Sequence, residues 1–428
     1  MIEKALYNRL IDYLNNNSLI NSQQFGFRRN LSTDNAIFNL THEILKALNN
    51  KMMVASIFFD LEKAFDSINH ALLINKLPQY GIQGKSKLLI ESYLTNRFQR
   101  VQLHNSFSDV KMDSMWMKVK RGVPQGSILG PLLFILYIND LPKAIMQNVI
   151  PIMFADDTSI LITRQDTKEL QEDLTLTFNQ VSEWFKQNSL SLNINKTYLT
   201  HYHSKRVADS DINITYENNR ITIVNELKFL GLNITDTLTW NSHIETILPK
   251  LGSACFAMRS IKPFLSQQML KAIYYSQFHS IILYGLIFWG NSPHSARVFG
   301  MQKRIIRIMT GRRSGDSCRK LFSHLNILPL PSLYIFFILR FIMKNRELFV
   351  TNNQIYQHGT RRIHNFHFPQ ANLKKYQSGV FYMGIKIFNN LPPYIKMEFS
   401  NPIKFELLIK KFLLKHTFYS LDEFYNSV

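Results

Sequence analysis

The chain has 428 residues, and a hydrophobic share of 46% supplies enough apolar surface for packed cores, which argues against a disordered protein. Lysine and arginine outnumber aspartate and glutamate by 50 to 30, a formal net charge of +20 that favours a long polyanion, most simply nucleic acid, as partner. Two cysteines, Cys255 and Cys318, supply neither a disulfide framework nor a zinc knuckle and fit a reducing compartment.

The start, "MIEKALYNRL", is charged and amphipathic with no cleavable signal pattern. Helices are expected over 3–16 and 33–50, the second with Asp34 or Thr33 as cap. The apolar run "MVASIFFDL", 53–61, ends in an acid and reads as a buried strand. Asp66 and Ser67 are expected to cap a helix formed by "INHALLINKL". A helix near 85–95 is followed by strand-like segments near 99–107 and 113–120. A long helical pattern over 166–188 leads to short strands near 197–203, 212–216 and 221–232. After "LTWNSHI", where Asn241 or Ser242 is expected as cap, the chain turns helical through most of 243–310. The runs "SIILYGLIFWG", 280–290, and "SLYIFFILRFIM", 332–343, are too short to span a bilayer, and the second carries Arg340; both are expected as buried helices, with no membrane partner. A weaker boundary is expected near 345–365.

Three places carry chemistry. Asp60 closes an apolar strand, where a carboxylate is costly to bury unless a partner or cation compensates it. "RGVPQGSILGPLLFILYINDL", 121–141, joins a turn made by Pro124, Gly126 and Gly130 with Ser127 to an apolar helix, with Pro131 suited to its first turn. Without a side chain at Gly126, a flat ligand or a sugar can approach the backbone closely. "PIMFADDTSILIT", 151–163, places Asp156 and Asp157 at the turn of a hairpin, which read alone is equally a polar turn.

In this order the segments resemble the reverse transcriptases of non-LTR retrotransposons, particularly the jockey-like LINE elements. The resemblance rests on "QFGFRRNLSTDNA", "FFDLEKAFDSINH", "RGVPQGSILGPLLFILYINDL" and "FADDT", with "LSLNINKT" and "LKFLGL" downstream, and it runs on through most of the tail. It implies an α+β, right-hand polymerase fold: fingers and palm over 1–240, a helical thumb-like region over 241–345, and a C-terminal region of unassigned role over 346–428. It implies RNA-directed DNA polymerase activity, with RNA template, DNA primer, RNA–DNA hybrid and dNTPs as partners, inside the cell and most simply in the nucleus. Asp60 and Asp156, with Asp157 as the neighbouring acid, are expected to hold two Mg2+ ions about 3.5–4 Å apart for in-line phosphoryl displacement.

Further roles follow from the resemblance. Phe65 would lie beneath the incoming sugar and select deoxynucleotides; Gln125 and Gly126 would contact the nascent base pair and template. Lys196 would protonate pyrophosphate, and Leu230 with Gly231 would form the loop that grips the primer end. Lys303, Arg304 and Arg307, with Arg312 and Arg313, would track a duplex by its phosphates, although a solvated helix face explains them equally. The pattern also departs from the family: no endonuclease segment is present, and the basic fingers segment that precedes the first helix in relatives is absent. Arg28 and Arg29 are the candidates to compensate at the triphosphate. Two rival readings stay open, a relic that binds RNA or hybrid without turnover and an intron-maturase-like RNA-binding protein.

Overall fold

The structure, a computed structural model, describes residues 2–105, 110–204, 212–216, 219–355 and 365–427. Parts of the strand expected at 99–107 and of the boundary expected at 345–365 lie outside these residues. The chain forms two compact units. One comprises Met1–Leu40, Met52–His203 and Val207–Asn225; the other comprises Thr41–Lys51, Ser204–Arg206 and Glu226–Val428. The first is mixed α and β and the second mainly helical, the α+β class expected from the sequence.

The first unit is organised by β1 (Met53–Phe59), whose residues 54–59 are all buried. A strand covered on both faces needs an unbroken apolar run, and this one has it. Four short strands, β2 (Phe98–Gln99), β3 (Gln102–Asn105), β4 (Val110–Asp113) and β5 (Met117–Lys118), follow outside the main sheet, β2 paired with β5 and β3 with β4. Then come β6 (Val149–Phe154), β7 (Asp157–Arg164), β8 (Tyr198–Tyr202), the short β9 (Thr215–Tyr216) and β10 (Asn219–Arg220), and β11 (Thr222–Ile223). The main sheet has the order β11-β8-β1-β7-β6. β1 pairs antiparallel with β7 from Met53 opposite Arg164 to Phe59 opposite Thr158, and with β8 on its other edge.

Helices α1 (Ile2–Asn16), α2 (Thr33–Asn49), α3 (Ala64–Ser67), α4 (His70–Lys76), α5 (Gly84–Leu94), α6 (Leu129–Ile138) and α7 (Thr167–Gln187) accompany the sheet. α7 buries Leu170, Leu174, Phe178, Val181 and Phe185, the three-and-four spacing of a single helix face. Phe178 and Phe185 meet Phe59 with ring centroids 5.5 and 6.0 Å apart, which fixes α7 on the sheet beside the end of β1. Asp166 caps α7 by accepting the Glu169 amide at 2.8 Å. α6 buries every residue except Pro131, as a helix enclosed by its own core must.

Several local expectations need correction. Asp66 and Ser67 do not cap α4; Asn69 does, accepting from the Ala71 and Leu72 amides, because the chain first makes the separate turn α3. The strand expected over 221–232 is divided between β11 in the first unit and a hairpin in the second, β12 (Glu226–Phe229) with β13 (Leu232–Thr235). α8 (Asn241–Ile261) begins at Asn241 itself behind Trp240, and Ser242 bonds Glu226 through its hydroxyl instead of capping.

The second unit continues with α9 (Gln267–Ile273), α10 (Ser280–Leu283), α11 (Leu286–Trp289), α12 (Ser295–Thr310), α13 (Arg319–Leu325) and α14 (Leu330–Lys344). The run 280–290 is therefore two short helices, α10 ending where Tyr284 turns extended with a ψ of 116° and α11 starting behind Gly285, whose φ is +62°. α14 is the buried helix expected, and Arg340 reaches Glu406 at 3.1 Å. No single helix among the described residues is long and apolar enough to cross a membrane. Residues 365–427 belong to the same unit: Asn49, at the end of α2, donates to Gln370 and accepts from the Asn372 and Leu373 amides.

Candidate active site

β1 delivers Asp60 and the β6–β7 hairpin delivers Asp156 and Asp157 to one end of the sheet. The hairpin closes through Ala155 and Asp156, with Phe154 opposite Asp157. Ala155 has a φ of +56°, the left-handed conformation that tight hairpin turns need and that a residue with a Cβ adopts at a cost. The β1–β7 register ends with Phe59 opposite Thr158, so Asp60 leaves β1 at the end of the sheet where β7 begins with Asp157. Carboxylates gathered at one sheet end repel. The electrostatics agree. Burial raises the Asp156 carboxyl above its usual range, and the charge of Asp60 adds to this. Asp157, though more exposed than Asp156, is pushed up to about 6, first by the protein around it and then by the charges of Asp156 and Asp60.

The acidic turn is held from outside the sheet. Gln24 is buried, and its side-chain oxygen accepts the Gly26 amide at 2.8 Å and the Ala155 amide at 3.0 Å. The Phe25 amide donates to Met153 and the Met153 amide to Gln23, at 2.8 and 2.9 Å. A Cβ on Gly26 would lie 2.4 Å from the Ala155 nitrogen, so only glycine permits this approach. "QFG" in the sequence is thus the clamp on the turn that bears the acids, a role its spacing does not announce.

The glycine-containing turn is laced to the segment after Asp60. The Gly122 amide donates to Ile68 and the Val123 amide to Phe65, at 2.8 and 3.0 Å. Gln125 donates to both carboxylate oxygens of Asp66, at 3.0 and 3.1 Å, and is exposed. Asp66, read from sequence as a cap, is therefore the holder of Gln125. Gly126 has a φ of +82° with nothing within 4 Å of a Cβ placed there, so its backbone is open to approach. Phe65 is half-buried, stacked on Phe134 at 4.5 Å. At the start of α6, Glu3 accepts the Ile128 and Leu129 amides at 3.0 and 3.1 Å, a contact no local signal reveals.

Lys196 is exposed on a turn at Ile194–Lys196. That segment runs beside Asp60: the Asn193 amide donates to the Asp60 carbonyl at 2.8 Å, and Leu61 bridges Leu192. Arg28 is half-buried and bound to the Asn21 and Gln24 carbonyls, and burial lowers its pKa. Arg29 is exposed and pairs with Asp12 at 2.5 Å.

The remaining sequence candidates lie in the second unit. Leu230 and Gly231, with φ of +44° and +83°, form the two-residue loop between β12 and β13, and the Tyr284 hydroxyl donates to the Leu230 carbonyl. On α12, Lys303 sits over the Phe299 ring at 4.7 Å, and Arg307 donates to the Asp316 carbonyl at 2.8 Å. Arg304, Arg312 and Arg313 are exposed.

Among the described residues, no three His, Cys, Asp or Glu side chains as placed close around a metal ion. The donor set at residues 60, 156 and 157 nevertheless fits one: three carboxylates suit hard cations, and a cation would offset both the burial that chiefly raises Asp156 and Asp157 and the repulsion among the acids that adds to it.

Comparison with known proteins meets this geometry. Residues 1–234 match the family described as "Reverse transcriptase (RNA-dependent DNA polymerase)". The chain is 28% identical over 325 residues to the "Probable RNA-directed DNA polymerase from transposon BS" of Drosophila melanogaster, covering 72% of this chain and 34% of that protein. It is 26% identical over 319 residues to that of transposon X-element and 24% over 323 residues to that of mobile element jockey, both from the same organism, each match covering 73% of this chain and 34% of the relative. The chain thus spans about a third of the length of these relatives. Among solved structures, apo telomerase from Candida tropicalis has a TM-score of 0.43 at 13% identity, over 76% of this chain and 53% of that one. With a family match across more than half its length, and with relatives from jockey-like non-LTR transposons, the chain belongs to the reverse transcriptase family.

Proposed function

We propose that the chain is an RNA-directed DNA polymerase that extends a DNA primer on an RNA template from dNTPs. The observation that carries this is the meeting of Asp60, Asp156 and Asp157 at one sheet end, in a family whose members work with divalent metal ions. Mg2+ is the ion proposed, two of them, held by Asp60 and Asp156 with Asp157 as third ligand or support of the turn. When bound, such ions lower the pKa of the primer 3′-hydroxyl and neutralise charge on departing pyrophosphate.

The chain's own groups set the rest. The sheet unit acts as palm and fingers, and the helices after the β12–β13 hairpin begin the thumb. Gln125, fixed by Asp66, presents its amide to the nascent base pair, and Gly126 lets that pair come close to the backbone. Phe65, backed by Phe134, stands where a 2′-hydroxyl would clash. Lys196 reaches the pyrophosphate from the turn that follows Asn193, whose amide is bonded to Asp60, and Arg28 reaches the triphosphate. Leu230 and Gly231 hold the primer end, while Lys303, Arg304 and Arg307 follow the hybrid backbone. The site of action is the nucleus, where the target DNA is.

Primer extension on an RNA template with Mg2+ and dNTPs tests the reading. The chain is expected to extend the primer and Asp156→Asn to lose at least about 1000-fold of that activity, a loss of about 4 kcal/mol in transition-state stabilisation. Salt-sensitive hybrid binding with no extension by the unaltered chain would overturn it in favour of a binding relic. Phe65→Val is expected to raise ribonucleotide incorporation roughly 10-fold or more relative to deoxynucleotides. Unchanged sugar selectivity would remove that role from Phe65.

A further inference from the structure

The segment between α5 and the Gln125 turn is unlike the rest of the first unit, because its described residues bury almost nothing. β2 pairs with β5 and β3 with β4, making a ribbon outside the main sheet. Phe98, Val101, Leu103, Met112, Met115, Trp116 and Met117 are all exposed, Trp116 at 63% and Met117 at 70%. Two strands alone are marginally stable in water, and an apolar patch of this kind marks a contact surface.

Charge and geometry say what the surface contacts. Residues 97–121 carry Arg97, Arg100, Lys111, Lys118, Lys120 and Arg121 against two acids, Asp109 and Asp113. Arg100 neutralises Asp113 at 2.9 Å and at the same time lies over the Trp116 ring, its guanidinium carbon 4.9 Å from the centroid. On the face with Asp113, Gln102 lies opposite it and His104 opposite Lys111, while Leu103 and Met112 pair on the other. An apolar protein partner would need only the second face. A polyanion with unpaired bases uses both, phosphates meeting the lysines and a base meeting the aromatic ring. The ribbon's base is also fixed beside the candidate site: Arg121 bridges Asn69, and the chain then enters the Gln125 turn.

We propose that the ribbon of β2, β3, β4 and β5 binds single-stranded nucleic acid, with the Trp116–Arg100 pair as a platform on which an unpaired base stacks and Lys111 and Lys118 as phosphate contacts. The identity of that strand, the unpaired part of the RNA template, rests on the polymerase reading; the binding itself does not.

The test is fluorescence anisotropy with a labelled, unstructured RNA of about 16 nucleotides and, separately, a blunt RNA–DNA hybrid, without dNTPs. Trp116→Ala is expected to weaken RNA binding roughly 5-fold or more, and Trp116→Phe to retain most of the affinity. Lys111→Ala with Lys118→Ala is expected to flatten the salt dependence by about 0.7 per lost phosphate contact. Hybrid affinity should stay at the unaltered value, and Asp156→Asn should bind RNA normally even if extension fails. The proposal is overturned if Trp116→Ala or the double lysine variant binds RNA as the unaltered chain does. Equal losses for RNA and hybrid would also sink it, since they would show diffuse charge attraction. So would a Trp116→Ala variant that changes only the oligomeric state in sedimentation, since the ribbon would then join copies of this chain.

Discussion

Gln24 shows how much of a polymerase-type acidic turn depends on a residue remote in sequence. Its side-chain oxygen holds the amide that precedes Asp156, and Gly26 leaves the gap through which it reaches. Gln24→Ala would leave the buried Ala155 amide without that acceptor, so a loss of about 1–3 kcal/mol in urea unfolding is expected, together with reduced primer extension. An unchanged unfolding midpoint with full extension would show that the turn stands unaided. At this scale the sequence displays Asp60, Asp156 and Asp157 because each breaks an apolar strand pattern at its end. It does not display Gln24, Asp66 or Glu3, whose partners are chosen by packing across long sequence separations. A buried hydrogen bond from the Ala155 amide to the Gln24 side chain leaves no periodic trace.

Among the elements, the hairpin loop Leu230–Gly231 was legible as a glycine turn, but what makes glycine necessary is a neighbour. A Cβ at Gly231 would lie 2.9 Å from the Tyr284 ring, and the backbone there has a φ of +83°. Gly231→Ala is therefore expected to cost about 1–2 kcal/mol from the left-handed backbone alone, before any shift of Tyr284. Chemical denaturation of the variant beside Tyr284→Phe, which removes the hydroxyl bond to Leu230, separates the two contributions. If Gly231→Ala unfolds at the same denaturant concentration, the backbone there is not left-handed. β1 and α7 were readable because their apolar spacing repeats over many residues. Helix starts were not, since Asp66, Ser67 and Asn69 all suit a cap and only the intervening turn α3 decides among them. The broken run at 280–290 was likewise hidden, because Gly285 faces Leu232 and a helical pattern continues on both sides of it.

At the scale of the whole molecule, four of the described histidines are held well below the ordinary imidazole value. His42, His201, His243 and His279 are each lowered to about 4, in every case chiefly by burial. An unfolded histidine takes up its proton near pH 6.5, so the unfolded state binds more protons over the interval from about 6.5 down to about 4. Stability is complete above that interval and falls as the pH drops through it, by on the order of 2 kcal/mol per ring at pH 5. Thermal unfolding at pH 7 and pH 5 should show a clear fall in midpoint, and replacing His243 and His279 by apolar residues should blunt it. An equal midpoint at both pH values would mean that these rings are charged in the folded protein. His201 lies in the first unit and the other three in the second, so the second should be the more acid-sensitive. Composition made the basic charge plain and apolar spacing the mixed-then-helical order, but neither could assign residues 365–427 to the second unit. That assignment rests on contacts such as Asn49 with Gln370, Asn372 and Leu373.

The sharing of α2 between the units bears on how the gene can be cut. Thr33–Leu40 belongs to one unit and Thr41–Asn49 to the other. A fragment stopped at residue 234, where the family match ends, would sever β13 before its last residue. The same cut would strip Asn49 of its acceptor at Gln370 and Leu45 of its contact at Gly379. Such a fragment carries every acid of the site, yet it should emerge from expression as a sticky, poorly soluble piece, and a shortened version fit for biochemistry has to keep the tail.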